Sequence, residues 1–383
     1  MKFDNLVVFV SDSLRIDYTP SGLDELGVGF KTVAQSTHSP PSFTTLSTGL
    51  YPRQHGVHGW TDRISGNIQT IFDVKSHKPG YFQSGNPSTD PMYTILGVDE
   101  STPLSNLESP FIYMERHDAT HVPFGGTEVD SFGEYFQTRG NEYTRIKEEY
   151  ETAADIAFDR FRSILNQLEE AGERERTLAV FTSDHGELLG EHGDVAHSTP
   201  ISSELVYVPT YFVNPNLTGK DFETDPADGI VEHVDVVKTC LDLIGVDLEH
   251  SCSGTNLFND RRERDFGLAS VRNRIHGFDV YSADSIWWPD SGYEFCLNSA
   301  VSRLGFALYR VLIGSERDAI GLKKELLDTY VSQTNRYGDC DVSAEEAERL
   351  LRNKLDRMNE GEAETFEITD EQQKHLEQLG YIE

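Results

Sequence analysis

The stretch LAVFTSDHGE, residues 178–187, decides the fold. Leu178-Ala179-Val180-Phe181 is a short unbroken apolar run, the pattern of a parallel strand buried on both faces. It stops at Thr182-Ser183-Asp184-His185-Gly186, polar groups at a glycine turn. The chain repeats this figure near its start, where Leu6-Val7-Val8-Phe9-Val10 runs into Ser11-Asp12-Ser13. Between the two lies a helical stretch over roughly Tyr143 to Glu170. Phe158, Phe161, Leu165 and Leu168 share its apolar face, and Gly172 supplies its stop. Helix followed by buried strand predicts an α/β fold, a mixed but mainly parallel sheet sandwiched by helices. In such sheets ligands gather at the C-terminal ends of strands. Asp12 and the Asp184-His185 pair both stand there, which marks them as a site rather than as surface charge.

Outward from these strands the reading is coarser. Val206–Val213 predicts another strand, broken by Pro209 and so expected near an edge or an end. A helix is expected from about Val234 to Gly245. Past Gly254 the character changes: residues 261–320 carry more aromatics and short alternating runs such as Phe306-Ala307-Leu308-Tyr309-Arg310-Val311. From Ser343 the chain is charge-dense and helical, with a loop at Asn359-Glu360-Gly361. We expect an α/β domain over 1–257 and a smaller C-terminal α+β subdomain with an acidic helical tail over 258–383.

The chain has 383 residues and a net charge of −32, from 65 Asp plus Glu against 33 Lys plus Arg. Such a surface repels nucleic acid. Arg outnumbers Lys, 22 to 11, and an acidic surface poor in Lys fits a cytoplasm rich in salt, where screening relieves self-repulsion. No apolar run reaches the roughly 18–20 residues of a membrane span, and the first apolar run, ending at an acidic motif, reads as a strand and not as a signal peptide. Cys240, Cys252, Cys296 and Cys340 are scattered without metal-knuckle spacing, which predicts reduced thiols and a cytoplasmic protein.

Carboxylate and imidazole side by side suit Zn, Mn or Mg-type cations. After Asp184-His185 come His192 and His197 in a glycine-punctuated loop. The segment Ser39-Pro40-Pro41-Ser42-Phe43 opens a helix expected to run to Gly49. A serine there is a natural cap. It is equally where free N–H groups and the helix dipole would stabilise an alkoxide and a transferring anionic group.

Together these stretches resemble the sulfatase family of the alkaline-phosphatase superfamily. The matching strings are VVFVSDSLRID, STGLYPRQHGVHG, TSDHGELLGEHG, AHSTPISSELVYVP and EHVDVVKTCLDLIGV, in order over roughly residues 3 to 257, with LEQLGYIE as a familiar ending. The resemblance implies an alkaline-phosphatase-like fold. It also implies that Asp12, Asp184 and His185 are metal ligands, with Ser39, at the nucleophile position, touching the same divalent cation (Ca, Mg, Mn or Zn). His121 resembles a histidine that contacts the substrate ester, and His197 falls where many sulfatases carry a sulfate-binding Lys. A second metal is conceivable through Asp118, His121 and His197, with His117 as a further spare ligand.

Three departures stand beside the match. Phe43 replaces the Arg of the stretch that directs conversion to formylglycine, so an unmodified Ser39 is the natural nucleophile. Ser13 replaces a second Asp. The Lys expected after the second strand is not evident in GYFQSGNPSTDP. The expected activity is hydrolysis of a small-molecule or glycan sulfate or phosphate ester. The alternatives are a phosphodiesterase or phospho-group transferase of the same superfamily, and a non-catalytic binding protein. His38 is set aside because its one-residue offset from Ser39 points it elsewhere, His233 as structural on a helix flank, and Trp287-Trp288 as packing or lining the C-terminal part.

Overall fold

A computed structural model describes residues 2–84, 86–197, 199–224, 229–258, 265–275, 278–320 and 324–381. Its main sheet has seven strands: β1 (Asn5–Ser11), β2 (Val28–Val33), β3 (Lys78–Gln83), β4 (Phe111–His117), β5 (Thr177–Ser183), β6 (Tyr207–Val213) and β7 (Val231–Glu232). Their order is β7-β2-β6-β5-β1-β4-β3. Four of the pairings are parallel, and β6 is antiparallel to both its neighbours. This is the mixed, mainly parallel sheet expected.

Alternation along β1 explains the layers. Leu6, Val8 and Val10 face α1 (Ser39–Thr48) and α3 (His233–Ile244), packing with Phe43, Leu46, Val236, Val237, Cys240 and Leu241. Val7 and Phe9 face the other way, toward Phe161, Ile164, Leu165 and Leu168 of α2 (Tyr143–Glu170). Successive side chains of a strand point to opposite faces, so a wholly apolar strand needs helices on both.

Two expectations are corrected. The strand holding Pro209 is interior and not an edge, and Pro209 stands near its start. Its ladder with β5 runs only from Ala179–Val213 to Thr182–Thr210, so Pro209 lies just past the pairing that would need its N–H, and its carbonyl accepts from the Thr182 hydroxyl at 3.1 Å. The run 306–311 is helical, within α4 (Ala300–Leu312). Arg303, Phe306, Ala307 and Arg310 are its buried residues, a spacing of three and four that outweighs the apparent alternation.

The C-terminal part holds a second, antiparallel sheet, β8 (Gly267–Ile275), β9 (Phe278–Trp288), β10 (Ser291–Cys296) and β11 (Thr334–Tyr337), in that order. Trp287 is buried there against Tyr207 and Tyr337. With it pack α4, α5 (Lys324–Val331) and α6 (Ala344–Leu355). The chain then returns to the main sheet. Glu364–Thr365 pairs with Asp62–Arg63, and α7 (Asp370–Gln378) buries Leu376 in the same cluster as α1 and α3. All four cysteines are free thiols. Among the described residues, no helix is long and apolar enough to cross a membrane.

Candidate active site

β1 and β5 are parallel neighbours with Ser11 opposite Ser183, so the residues that follow them emerge side by side. Asp12, Asp184 and His185 are fully buried, and one ligand atom from each lies within 4.8 Å of the other two. Ser13, at φ +65°, donates its N–H to Asp184 Oδ1 at 2.9 Å and its hydroxyl to Asp12 Oδ1 at 2.9 Å. The His185 N–H also donates to Asp184 Oδ1. Asp184 Oδ2 has no hydrogen-bond partner and sits 3.3 Å from His185 Nε2. His185 Nδ1 lies 2.9 Å from the Gly186 carbonyl, which can accept its proton and leave Nε2 to present a lone pair. A Cβ at Gly186 would stand 1.9 Å from the Glu204 carbonyl, so this turn admits only glycine.

A buried carboxylate oxygen without a partner is costly. Two carboxylates and an imidazole around an orphaned oxygen fit a divalent cation with oxygen and nitrogen ligands. The charges respond to one another. Burial pushes both carboxyls up. In Asp12 the Arg116 guanidinium and nearby imidazoles outweigh burial and hold it below the usual range; Asp184 stays raised, with Asp12 adding to the burial effect.

Ser39 is the first residue of α1, which ends at Gly49 in the left-handed conformation. Its Oγ lies 3.3 Å from His185 Nε2. The expected supply of free helix N–H groups is smaller than the sequence suggested. Pro40 and Pro41 have none, and Ser42 N–H bonds the His38 carbonyl at 3.3 Å. With those three N–H groups absent or used, side chains are natural donors to an anion on Ser39.

Sequence reasoning missed the most prominent of these, Arg116. It is 2% exposed and pairs with Asp12 Oδ2 at 2.6 Å and Asp90 at 3.4 Å. Its guanidinium also donates to the Tyr381 hydroxyl at 3.0 Å, which stands 3.4 Å from Ser39 Oγ. The signal for Arg116 was present: Glu115-Arg116 is a charged pair inside the strand FIYMERH. Strand alternation sends Glu115 to Arg160 on α2 and Arg116 to Asp12. Glu187, also buried, reaches His197 Nδ1 at 3.4 Å.

The histidines divide. His121 and His197 are brought to the site, with ring centroids 5.1 Å apart, and His197 lies 4.5 Å from His185. Burial lowers His121 to about 3 and His197 to about 4. His121 Nε2 has no partner. Asp118, proposed with them for a second metal, is exposed and accepts from Ser84, and His117 packs its ring on Phe9. Among the described residues, Asp12, Asp184 and His185 form the only group of three placed to share a cation. His192 pairs with Glu204. His38, expected to point elsewhere, accepts from Trp60 Nε1 and flanks the Tyr381 ring.

The sequence profile of the family described as Sulfatase matches residues 72–246. The chain is 30% identical to a "Low-salt glycan biosynthesis sulfotransferase Agl7" of Haloferax volcanii, over 99% of this chain and 96% of that protein. Among solved structures, the 2-O GAG sulfatase BT1596 superposes with a TM-score of 0.60 at 15% identity, over 77% of this chain and 83% of its own. The phosphonate monoester hydrolase of Agrobacterium radiobacter does so with 0.62 at 15% identity, over 76% and 87%.

Proposed function

The chain belongs to the sulfatase family of the alkaline-phosphatase superfamily, and from that premise we propose that it takes a sulfuryl or phosphoryl group from an ester onto Ser39. The observation that carries this is the placement of Ser39 Oγ 3.3 Å from His185 Nε2, within the Asp12, Asp184 and His185 cluster. Those three residues would hold a divalent cation, which supplies Lewis-acid activation of the Ser39 hydroxyl and charge neutralisation. Ser39 Oγ bonds the sulfur or phosphorus as the bond to the alkoxy oxygen breaks. The leaving oxygen keeps the electron pair and departs as an alcohol with the proton that Ser39 gives up. Arg116 offsets the negative charge. His121 and His197, neutral at pH 7, act as hydrogen-bond donors rather than as imidazolium acids. Glu187 orients His197 through Nδ1.

Water then hydrolyses the Ser39 ester, or a sugar hydroxyl accepts the group. Two observations favour the sugar as a second reading. The relative that matches nearly the whole chain is named a sulfotransferase of glycan biosynthesis. Ser39, Asp12 and His185 are also wholly shielded from solvent, and a site that passes a group to a sugar must keep water out. The acidic surface and the likeness to a protein of a halophilic archaeon support a salt-adapted protein.

The test is a metal-supplemented screen on aryl sulfate, aryl phosphate and aryl phosphodiester, each with and without a sugar acceptor. Metal-dependent release of the phenol, abolished by Ser39→Ala, is expected; acceleration by the acceptor assigns transfer. A protein that binds no divalent ion and turns over none of the three would overturn the proposal and favour a non-catalytic role.

A further inference from the structure

The turn after α7 carries Tyr381 into the site. Gly380 N–H bonds the Glu377 carbonyl at 3.2 Å and Tyr381 N–H the Leu376 carbonyl at 2.9 Å, with Gly380 at φ +79°. This is a Schellman closure, in which a left-handed residue reverses the chain against its own helix. A Cβ on Gly380 would meet the Phe132 ring at 2.3 Å, so only glycine makes this turn. Leu376 is fully buried and fixes the helix. The direction of Tyr381 is therefore set by backbone geometry.

The turn drives Tyr381 between Arg116 and Ser39. Arg116 Nη2 donates to its hydroxyl at 3.0 Å, and Arg116 is itself locked on Asp12. A hydroxyl that accepts from a guanidinium still has its own proton to donate. Ser39 Oγ lies 3.4 Å away. The ring is held by Trp60 at 4.4 Å, His121 at 4.9 Å and His197 at 5.7 Å between centroids. Beside it the buried His121 Nε2 has no partner. Pro40 and Pro41 have no N–H to offer an oxyanion on Ser39.

We infer that Tyr381 and Arg116 form an oxyanion clamp over Ser39, gripping the nonbridging oxygens of the group that Ser39 receives. In the resting site the Tyr381 hydroxyl faces Ser39; with a sulfuryl or phosphoryl group in place it donates to that group's oxygen, and no proton is transferred. The inference rests on the reading of Ser39 as the receiving oxygen, and it adds that the returning tail completes the site.

The experiment measures orthovanadate and inorganic sulfate binding to the metal-loaded full chain by calorimetry, with Trp60 fluorescence as a second readout and thermal melting as a folding control. It uses wild type, Tyr381→Phe and Gly380→Ala, with Glu377→Gln as a surface control. Tyr381→Phe is expected to weaken vanadate binding about tenfold or more, the loss of one hydrogen bond to a charged group, with an unshifted melt. It should lower turnover of whichever aryl ester the wild type accepts. Gly380→Ala should reproduce the loss by misdirecting an intact hydroxyl. Unchanged vanadate affinity in Tyr381→Phe overturns the clamp, whatever the turnover. A wild type that binds vanadate through Tyr381 yet turns over no ester keeps the clamp and overturns the ester reaction. A wild type that binds neither anion overturns both.

Discussion

Replacing Arg310 by Met should strand a buried charge beneath the loop that carries His197, and the cost can be worked from its surroundings. Arg310 is 6% exposed and bonds Asp194 Oδ2 at 2.9 Å, Glu316 at 2.6 Å, and the carbonyls of Val195 at 3.2 Å and Thr199 at 3.3 Å. Asp194, 1% exposed, would keep only the Tyr330 hydroxyl and the Val195 N–H, both at 2.8 Å. Burial already pushes its carboxyl up against the pull of Arg310. Without that pull the carboxyl can escape by taking a proton, which sets a ceiling. Protonating a carboxyl with an unfolded value of 3.8 costs about 4.4 kcal/mol at pH 7 and about 1.6 kcal/mol at pH 5. Breaking a buried pair typically costs about 3–5 kcal/mol, so about 3–4 kcal/mol is expected at pH 7. The sign is fixed: the folded variant binds a proton that the unfolded chain does not, so its deficit shrinks as pH falls. Urea unfolding of Arg310→Met, Asp194→Asn and the double variant measures this. The double variant should cost about 2 kcal/mol less than the sum of the singles, because Asp194 no longer leaves a stranded charge, whereas Glu316, 12% exposed, loses its partner in the single Arg310 variant and the double alike. Hydrogen exchange at 195–197 should stay raised in it, since both carbonyls still lack their donor. A single-variant cost under about 1 kcal/mol at pH 7, or strict additivity, would refute the reasoning.

Asp184→Asn should weaken Mn²⁺ binding at least about tenfold by titration calorimetry, since it discharges the one ligand whose outer oxygen has no other partner; unchanged affinity removes Asp184 from the ligand set. Gly49→Ala places a Cβ at φ +68° and 2.8 Å from Cys252 Sγ and should cost about 1–2 kcal/mol or more in urea unfolding; a neutral result means the turn relaxes. In the His192–Glu204 pair, burial opposes both charges, but each partner outweighs it: His192 is raised above 6.5 and Glu204 is lowered from 4.5 to about 2. The Glu204 contribution is present above pH 4.5 and lost as pH falls toward 2; the His192 contribution is present below 6.5 and lost as pH rises through its raised value. Glu204→Gln should therefore lose most stability between about pH 4.5 and 6.5, and a deficit flat from pH 4 to 9 contradicts the pairing.

The strands and the helices that cover them were legible because each is decided by its own neighbours. An apolar run such as 178–181 can only be buried, and the face of α2 shows in its three-and-four spacing. Asp12 and Asp184 were legible for the same reason, each standing at the end of such a run. Pro209 misled because its placement depends on where the ladder with β5 stops, which no property of 206–213 reveals. Phe306–Val311 misled because alternation over six residues competes with a helical spacing that becomes visible only over thirteen. Arg116 was readable in principle as a charge in a buried strand, but its partner lies one strand away and is named only by the register. Tyr381 depends on a chain that leaves the main sheet after β7, builds a second sheet, and returns through the Glu364–Thr365 pairing. Its only local sign is a Leu-Gly-Tyr that closes a helix.

The replacement of a second acid by Ser13 looks, in sequence, like damage to a cation site. The geometry gives it a different meaning. Ser13 uses its N–H to hold Asp184 Oδ1 and its hydroxyl to hold Asp12 Oδ1, so it fixes both carboxylates while adding no charge. Arg116 then offsets one of the two. Counted together, Asp12, Asp184 and Arg116 leave a net charge of about −1 facing a divalent cation in the proposed role, where a third acid in place of Ser13 would leave about −2. A cation held there would be bound less tightly but less neutralised, among side chains that are fully buried. An anionic ester entering such a site meets more residual positive charge, and the Arg116–Tyr381 pair stands where that charge would be felt by the group on Ser39. Two of the departures from the family pattern, Phe43 and Ser13, are thus coupled through Arg116. Phe43 leaves Ser39 as a plain hydroxyl, a weak nucleophile. Ser13 and Arg116 thin the negative charge around it, and a cation held in the proposed role would be the better activator of that hydroxyl.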